Sequence, residues 1–414
     1  MKKKYGCIGE KLSHSFSKEI HAALADYDYK IIEIPRDKLA EFATEADFAA
    51  INVTIPYKEL IMPYLKNIDE HAKAIGAVNT VVNRNGTLYG YNTDFYGMSM
   101  LIAHAGISVE GKKVAILGTG GTSKTANAVC KSLLAKEIIT VSRKESDNAV
   151  SYDTFYKDHN DVEILINTTP VGMYPNTNAS PVNISKLDKL SGVIDAVYNP
   201  LCTELILSAK ERGIKAEGGL YMLVAQGVRA SEIFLDTAYP EGTLDAVYKK
   251  ILKEKENIVL CGMPGAGKTT VGKILKRKLS RELIDTDTLI VEVAGKEISS
   301  IFAEDGEAAF RDIESDVICD VSKKSAVIIS TGGGAILRDK NIRELRKNGK
   351  IYFIDRPLKA LLPTKDRPLA QSRADIERRY AERYDRYLAV SDERIDADTT
   401  PEGVAERILR SFSE

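Results

Sequence analysis

CGMPGAGKTT, residues 261–270, follows the apolar run IVLCG and leads into TTVGKILKRKL, a stretch rich in helix formers. Gly262, Gly267, Lys268 and Thr269 have the spacing of a phosphate-binding loop between a strand and a helix. Glycines let successive backbone N–H groups close around phosphate oxygens, and Gly265, Ala266 and Thr270 complete that cradle. Lys268 would reach the terminal phosphates at the positive end of the following helix. Thr269 would offer a hydroxyl to Mg²⁺. The stretch therefore predicts a nucleoside-triphosphate site in a parallel α/β domain. It begins some 260 residues into the chain, so a separate unit must precede it.

The rest of the sequence supports that division. The chain has 414 residues, enough for about three domains. Apolar runs such as KVAILG, EIITVSR, VEILINTT, GVIDAVY, NIVLCG, AVIISTGGG and KIYFID alternate with helical patterns. That alternation predicts parallel α/β sheets. The stretch TLDAVYKKILKEKENIV predicts a helical connector over about 243–257. Lys and Arg number 58 against 59 acids. This balance argues against nucleic-acid or anionic-membrane partners and leaves small molecules. No apolar run is long enough to span a membrane, and no apolar stretch follows the N-terminal lysines. Five scattered cysteines read as reduced thiols of a cytoplasmic protein.

Downstream of the loop, LIDTD is expected to end a strand with Asp285 and Asp287 on one face. One carboxylate would help hold Mg²⁺ and the other would meet a substrate hydroxyl. FAEDGEAAFRDIE, STGGG, DRPLA around Arg367, and RYDRYLAVSD from Arg383 follow in order. Residues 257–414 thereby resemble the shikimate kinases, with a P-loop fold like that of the nucleoside monophosphate kinases. The resemblance implies that Arg311, Gly333 and Arg383 bind the substrate and that Asp287 orients its accepting hydroxyl. It also implies that Arg367 covers ATP from a lid and that Thr269 and Asp285 hold Mg²⁺. The join KLSRELIDTD lacks a glycine common in that family, and the lid is slightly short.

Upstream, AILGTGGTSKTANAVC follows a strand and opens a helix, so Gly118, Thr119, Gly120, Gly121 and Thr122 can admit a dinucleotide pyrophosphate. The next strand ends in Ser142, Arg143 and Lys144, where an NAD site would favour an acid. Cations there favour a 2′-phosphate, hence NADP. Before this region, LSHSFS carries Ser15 and Ser17, which share one side if the chain is extended. INVTIPYKE brings Asn52, Thr54 and Lys58, GAVNTVV brings Asn79, and GYNTDFYG brings Asp94. Hydroxyls, amides, one lysine and one aspartate suit a small polyhydroxylated acid.

With INTTPVGM, DAVYNPLCT and EGGLYMLVAQ, residues 3–240 resemble the shikimate dehydrogenases. The resemblance implies that Ser15 and Ser17 hold the substrate carboxylate, while Thr54, Asn79, Tyr198 and Gln226 surround its hydroxyls. It makes Lys58 and Asp94 the catalytic pair and extends the NADP contacts to Ala196 and Gly219. Lys18 stands where the family commonly has proline, and VSRK replaces its usual Asn-Arg-Thr. The expected organisation is a substrate domain over 1–100 completed by 220–245, a Rossmann domain over 101–219, and a kinase domain over 258–414. A quinate-type dehydrogenase joined to another kinase, or a metabolite-sensing regulator, are the competing readings.

Overall fold

The computed structural model describes residues 4–12, 16–361 and 372–413. The chain divides into two compact units, residues 1–251 and 252–414, and all three sheets are of the α/β kind.

The first unit holds two six-stranded sheets. Strands β1 (Tyr5–Gly9), β2 (Tyr29–Glu33), β3 (Ala50–Val53), β4 (Asn67–Ile68), β5 (Thr80–Arg84) and β6 (Thr87–Tyr91) run in the order β2-β1-β3-β5-β6-β4. The sheet is mixed, because β5 runs antiparallel to both β3 and β6. The reversal has a local cause. Asn85 and Gly86 both adopt positive φ, 54° and 82°, the two-residue turn that closes a hairpin. Ile8, Ile51 and Val81 are wholly buried against the helices of this half.

The second sheet is fully parallel. It is built from β7 (Lys113–Leu117), β8 (Glu137–Ser142), β9 (Val150–Ser151), β10 (Ile164–Asn167), β11 (Gly192–Asp195) and β12 (Lys215–Glu217) in the order β12-β11-β10-β7-β8-β9. Along β7, Val114 and Ile116 enter one core while Ala115 and Leu117 enter the other. Burial on both faces explains why the strand reads as an unbroken apolar run. The order reverses between β7 and β10, and the crevice at such a switch point is where this fold receives dinucleotides.

Helix Leu220–Leu235 then returns to pack on helices Thr93–His104 and Ser17–Leu24. The approach is close: a Cβ on Gly97 would lie 2.7 Å from the Met222 carbonyl oxygen. Helix Thr243–Lys255 follows, and the next strand starts at Asn257.

The second unit has one parallel sheet of β13 (Asn257–Cys261), β14 (Leu283–Asp285), β15 (Ile328–Ser330), β16 (Gly349–Asp355) and β17 (Glu393–Asp396), ordered β14-β15-β13-β16-β17. Its central strand, β13, is buried throughout and feeds the glycine loop directly into helix Lys268–Leu279. One expectation fails here. The strand stops at Asp285, and Asp287 lies in the first turn of helix Thr286–Ala294, so the two do not share a strand face. The Asp285 carboxylate instead caps that helix, accepting from the Asp287 N–H at 3.1 Å. An acidic side chain so close to a strand end satisfies an orphan helix donor better than it extends a sheet.

Candidate active sites

In the first unit, a cleft of about 590 Å³ is lined from both halves. Thr54, Lys58, Asn79 and Asp94 come from the first half, and Thr122, Ala196, Tyr198 and Gly219 from the second. Gln226 reaches it from the returning helix.

The lysine is held by its neighbours. Tyr57 is fully buried with its hydroxyl on the Ile34 carbonyl, and the Lys58 carbonyl accepts from the Val78 N–H at 2.8 Å. Asp94 occupies the first turn of helix Thr93–His104, whose cap is Asn92, and the N-terminal dipole favours its carboxylate. Lys58 Nζ donates to Asp94 Oδ2 at 2.5 Å, with side chains only 20% and 12% exposed.

Around this pair lies a buried amide and hydroxyl network. Asn79 Oδ1 accepts from the Thr93 N–H at 2.7 Å, and Asn79 Nδ2 donates to Thr93 Oγ1 at 3.0 Å. Tyr29 donates to Asn52 Oδ1 at 2.7 Å. Burial raises the Tyr198 hydroxyl above its ordinary range and pushes the Cys7 thiol up to about 12, so both stay protonated. Ser17 lines the cleft and begins helix Ser17–Leu24. Ser15 lies outside the described residues.

The glycine loop after β7 is open above the following helix. Gly118 has φ +109°, and Cβ atoms on Gly120 or Gly121 would meet nothing within 4 Å, leaving open space over the helix start. Helix Gly121–Ser132 has no side-chain cap, so its first N–H groups are free to meet an anion. Gly219 is required sterically: a Cβ there would lie 2.2 Å from the Ala196 carbonyl oxygen. Ser142 ends β8, while Arg143 and Lys144 project beyond it, exposed.

The sequence reading missed the hub beneath these loops. Asp195, fully buried, accepts from Thr203 Oγ1 at 2.6 Å, Asn167 Nδ2 at 2.9 Å and the Val197 N–H at 3.0 Å. Asn167 Oδ1 in turn accepts from the Thr169 N–H at 3.0 Å. Burial nevertheless wins, and the Asp195 carboxyl is raised to about 6. The hub ties the loop after β10 to the loop after β11, which carries Ala196 and Tyr198.

In the second unit, a cavity of about 580 Å³ is lined by the glycine loop, Asp285, Asp287, Arg311, Gly333 and Arg383. Gly262 and Gly267 have φ +148° and +95°, conformations that ordinary side chains resist. Lys268 Nζ donates to the Gly262 and Met263 carbonyls at 2.8 and 3.2 Å. Thr269 Oγ1 donates to Asp285 Oδ2 at 2.8 Å.

Despite lying on a helix, Asp287 reaches the same pocket, since a Cβ on Gly332 would lie 2.6 Å from its Oδ1. Arg311 pairs with Glu314 at 2.7 Å and Glu307 at 3.1 Å, and lies hard against Gly334. Arg383 donates to the Gly333 carbonyl at 3.0 Å. Glu314 is fully buried, burial raises its carboxyl above the ordinary range, and its Oε1 has no hydrogen-bond partner among the described residues. Two further arginines, Arg356 and Arg379, line the cavity and were not anticipated. Arg367 lies outside the described residues. Among those described, no cluster of three or more His, Cys, Asp or Glu side chains forms a metal cage.

The fold and the two cavities define a dinucleotide-dependent oxidoreductase joined to a P-loop phosphotransferase. Comparison with known proteins specifies both. The shikimate dehydrogenase substrate-binding domain matches residues 7–81, and shikimate kinase matches residues 264–413. A shikimate dehydrogenase (NADP(+)) of Clostridium perfringens is 38% identical over 267 residues, covering 60% of this chain and 98% of that one. The crystal structure of shikimate dehydrogenase 1 from Peptoclostridium difficile is 38% identical, with a TM-score of 0.56, covering 60% of this chain and 97% of that one. The Thermus thermophilus shikimate 5-dehydrogenase in complex with NADP(H) and shikimate is 25% identical, with a TM-score of 0.54, over 60% of this chain and 99% of that one. The chain belongs to the shikimate dehydrogenase family and carries a shikimate kinase domain behind it, making it a bifunctional oxidoreductase and kinase of the shikimate pathway.

Proposed function

We propose that the first unit reduces 3-dehydroshikimate to shikimate with NADPH, and that the second transfers the γ-phosphate of ATP to the 3-hydroxyl of the shikimate so formed. The observation that carries the first half is the Lys58–Asp94 pair at 2.5 Å, facing Ala196 and Gly219 across one cleft. When bound, the dinucleotide supplies the hydride that the ketone carbon receives. Lys58 holds the proton for the carbonyl oxygen, and Asp94 keeps the ammonium aimed at it. Thr54, Asn79, Tyr198 and Gln226 bind the substrate's hydroxyls, and Ser15 and Ser17 its carboxylate. Arg143, Lys144 and Ser142 receive the 2′-phosphate, which favours NADP over NAD. Gly118, Thr119, Gly120, Gly121 and Thr122 take the pyrophosphate.

In the second unit, Arg311, Arg383 and Gly333 hold shikimate, and Asp287 orients its 3-hydroxyl and takes its proton. Gly262, Gly265, Ala266, Gly267, Lys268, Thr269 and Thr270 hold the phosphates of ATP, with Arg367 closing from the lid. Thr269 and Asp285, oxygen ligands 2.8 Å apart, suit Mg²⁺ held through few protein oxygens. Mg²⁺ when bound neutralises charge on the transferring phosphoryl group. Residues 1–100 with 220–245 act as the substrate domain and 101–219 as the NADP domain. The test supplies dehydroshikimate, NADPH and ATP together to the full chain and weighs the product. Shikimate 3-phosphate is expected. Accumulation of unphosphorylated shikimate, or turnover of quinate with NAD in preference, overturns the reading.

A further inference from the structure

We propose that Arg356 contacts the phosphates of the nucleotide in the kinase pocket, as a cation supplied from the end of β16. The inference rests on the glycine loop's being the nucleotide site and names a residue that neither the loop spacing nor the matched domains single out.

Three observations converge on it. The first is position. In the parallel pairing of β13 with β16, Phe353 faces Cys261, and a Cβ on Gly262 at the start of the loop would lie 2.8 Å from the Ile354 carbonyl oxygen, two residues before Arg356. Its Nη1 lies 4.0 Å from where a Cβ on Gly267 would be, and Arg356 lines the same cavity as Lys268 and Thr269. The second is the backbone. Pro357 follows at φ −53°, and a residue before proline is biased away from helix. Arg356 accordingly lies between the end of β16 at Asp355 and the short turn that opens at Leu358.

The third is charge. Arg356 is half-buried, yet no hydrogen bond or ion pair joins it to another described residue. The adjacent carboxylate is already engaged: Asp355 accepts from Tyr384 at 2.9 Å and pairs with Arg394 at 2.8 Å. Arg311, by contrast, has Glu314 and Glu307, and Arg383 donates to Gly333. Arg311 lies hard against Gly334, and Arg383 is tied to the Gly333 carbonyl. A partly desolvated guanidinium without a counter-charge is unfavourable until an anion arrives. A triphosphate seated in the loop brings several, and a guanidinium meets phosphate oxygens with two parallel donors.

The test uses the full chain with Arg356→Gln and Arg356→Lys, and Lys268→Ala alongside. Affinities for ATP, ADP and adenosine are measured by titration, and KM for ATP and shikimate by steady-state kinase assay. Arg356→Gln should weaken ATP about tenfold or more, the scale of one charge-assisted hydrogen bond, with adenosine affinity and the shikimate KM within about twofold of wild type. Arg356→Lys should fall between and serves if the Gln variant fails to fold. An unchanged ATP affinity, an equal loss for adenosine, or a loss confined to shikimate overturns the proposal. If Lys268→Ala also leaves ATP binding intact, the glycine loop itself is not the nucleotide site. If only the Lys268 change weakens ATP, the loop stands and Arg356 alone is misassigned.

Discussion

Replacing Lys58 by methionine keeps most of the side chain's length and apolar stem while removing the ammonium proposed as the proton donor. The pair it breaks is largely desolvated, with exposures of 20% and 12%. No other hydrogen bond to the Asp94 carboxylate is seen among the described residues. Two costs follow. Loss of the positioned proton donor should lower kcat by roughly a hundred- to ten-thousandfold, or about 2.7–5.4 kcal/mol of transition-state stabilisation. The stranded carboxylate should cost about 1–3 kcal/mol of folding stability in the first unit.

Asp94→Asn should also lower kcat, because the ammonium loses its orienting partner. The double variant should then be no slower than Lys58→Met alone, since groups that act as one unit do not contribute additively. The assay follows NADPH absorbance with dehydroshikimate, and kinase turnover of the same samples serves as the control. That control should hold, because every residue lining the kinase cavity comes from positions 264–383. A kcat loss below tenfold, a loss confined to KM, or strictly additive effects would refute the assignment of Lys58 and Asp94 as a coupled acid and orienter.

Three more outcomes follow from the geometry. Lys268→Ala should abolish phosphorylation and leave reduction within about twofold, read by running both assays on one preparation. Arg143→Ala should raise the KM for NADPH about tenfold and narrow the preference for NADPH over NADH, with ATP kinetics unchanged. Asp195→Asn tests the buried hub by its pH dependence. The folded carboxyl titrates at about 6 against an ordinary 3.8, so its protonated form is favoured by folding. That contribution is complete below the ordinary value and is lost as pH rises through about 6. Asparagine removes the buried charge, so its stability relative to wild type should improve by roughly 1–2 kcal/mol from about pH 5 to about pH 8, measured by thermal melting. A gap that narrows with rising pH would refute it.

Much of this architecture was legible because its signals are local. The glycine loop announces itself through residues that neighbour one another in sequence, and the β7 run reads as buried because both its faces are buried. The hairpin was not read from the sequence, although its signal, Asn85-Gly86, is equally local. Asp285 and Asp287 were assigned the right neighbourhood by the wrong geometry: two positions apart fits one face of a strand, but it fits a helix cap and its first turn just as well. The Asp195 hub was not legible, because Asn167, Asp195 and Thr203 meet only once parallel strands are in register. Arg356 was hidden in the same way, as an ordinary charge in IDRPL until the fold sets it on the wall of the loop's cavity.

The contrast between the two cavities follows from the charge each reaction must handle. Hydride and proton together turn a ketone into an alcohol and leave no new charge on the substrate. A site for that step needs orientation and one proton, and the first cavity holds a buried network of Asn52, Asn79, Thr80 and Thr93 beside a single Lys–Asp pair. Phosphoryl transfer instead brings a triphosphate against an acid that already carries a carboxylate, and the repulsion has to be offset by cations fixed before the substrates arrive. The second cavity answers with Lys268, Arg311, Arg356, Arg379 and Arg383. Arg311 is held ready by Glu314 and Arg383 by the Gly333 carbonyl. Neutralising one of the five should therefore weaken binding of whichever anion it faces, and should barely alter the affinity for an uncharged fragment such as adenosine.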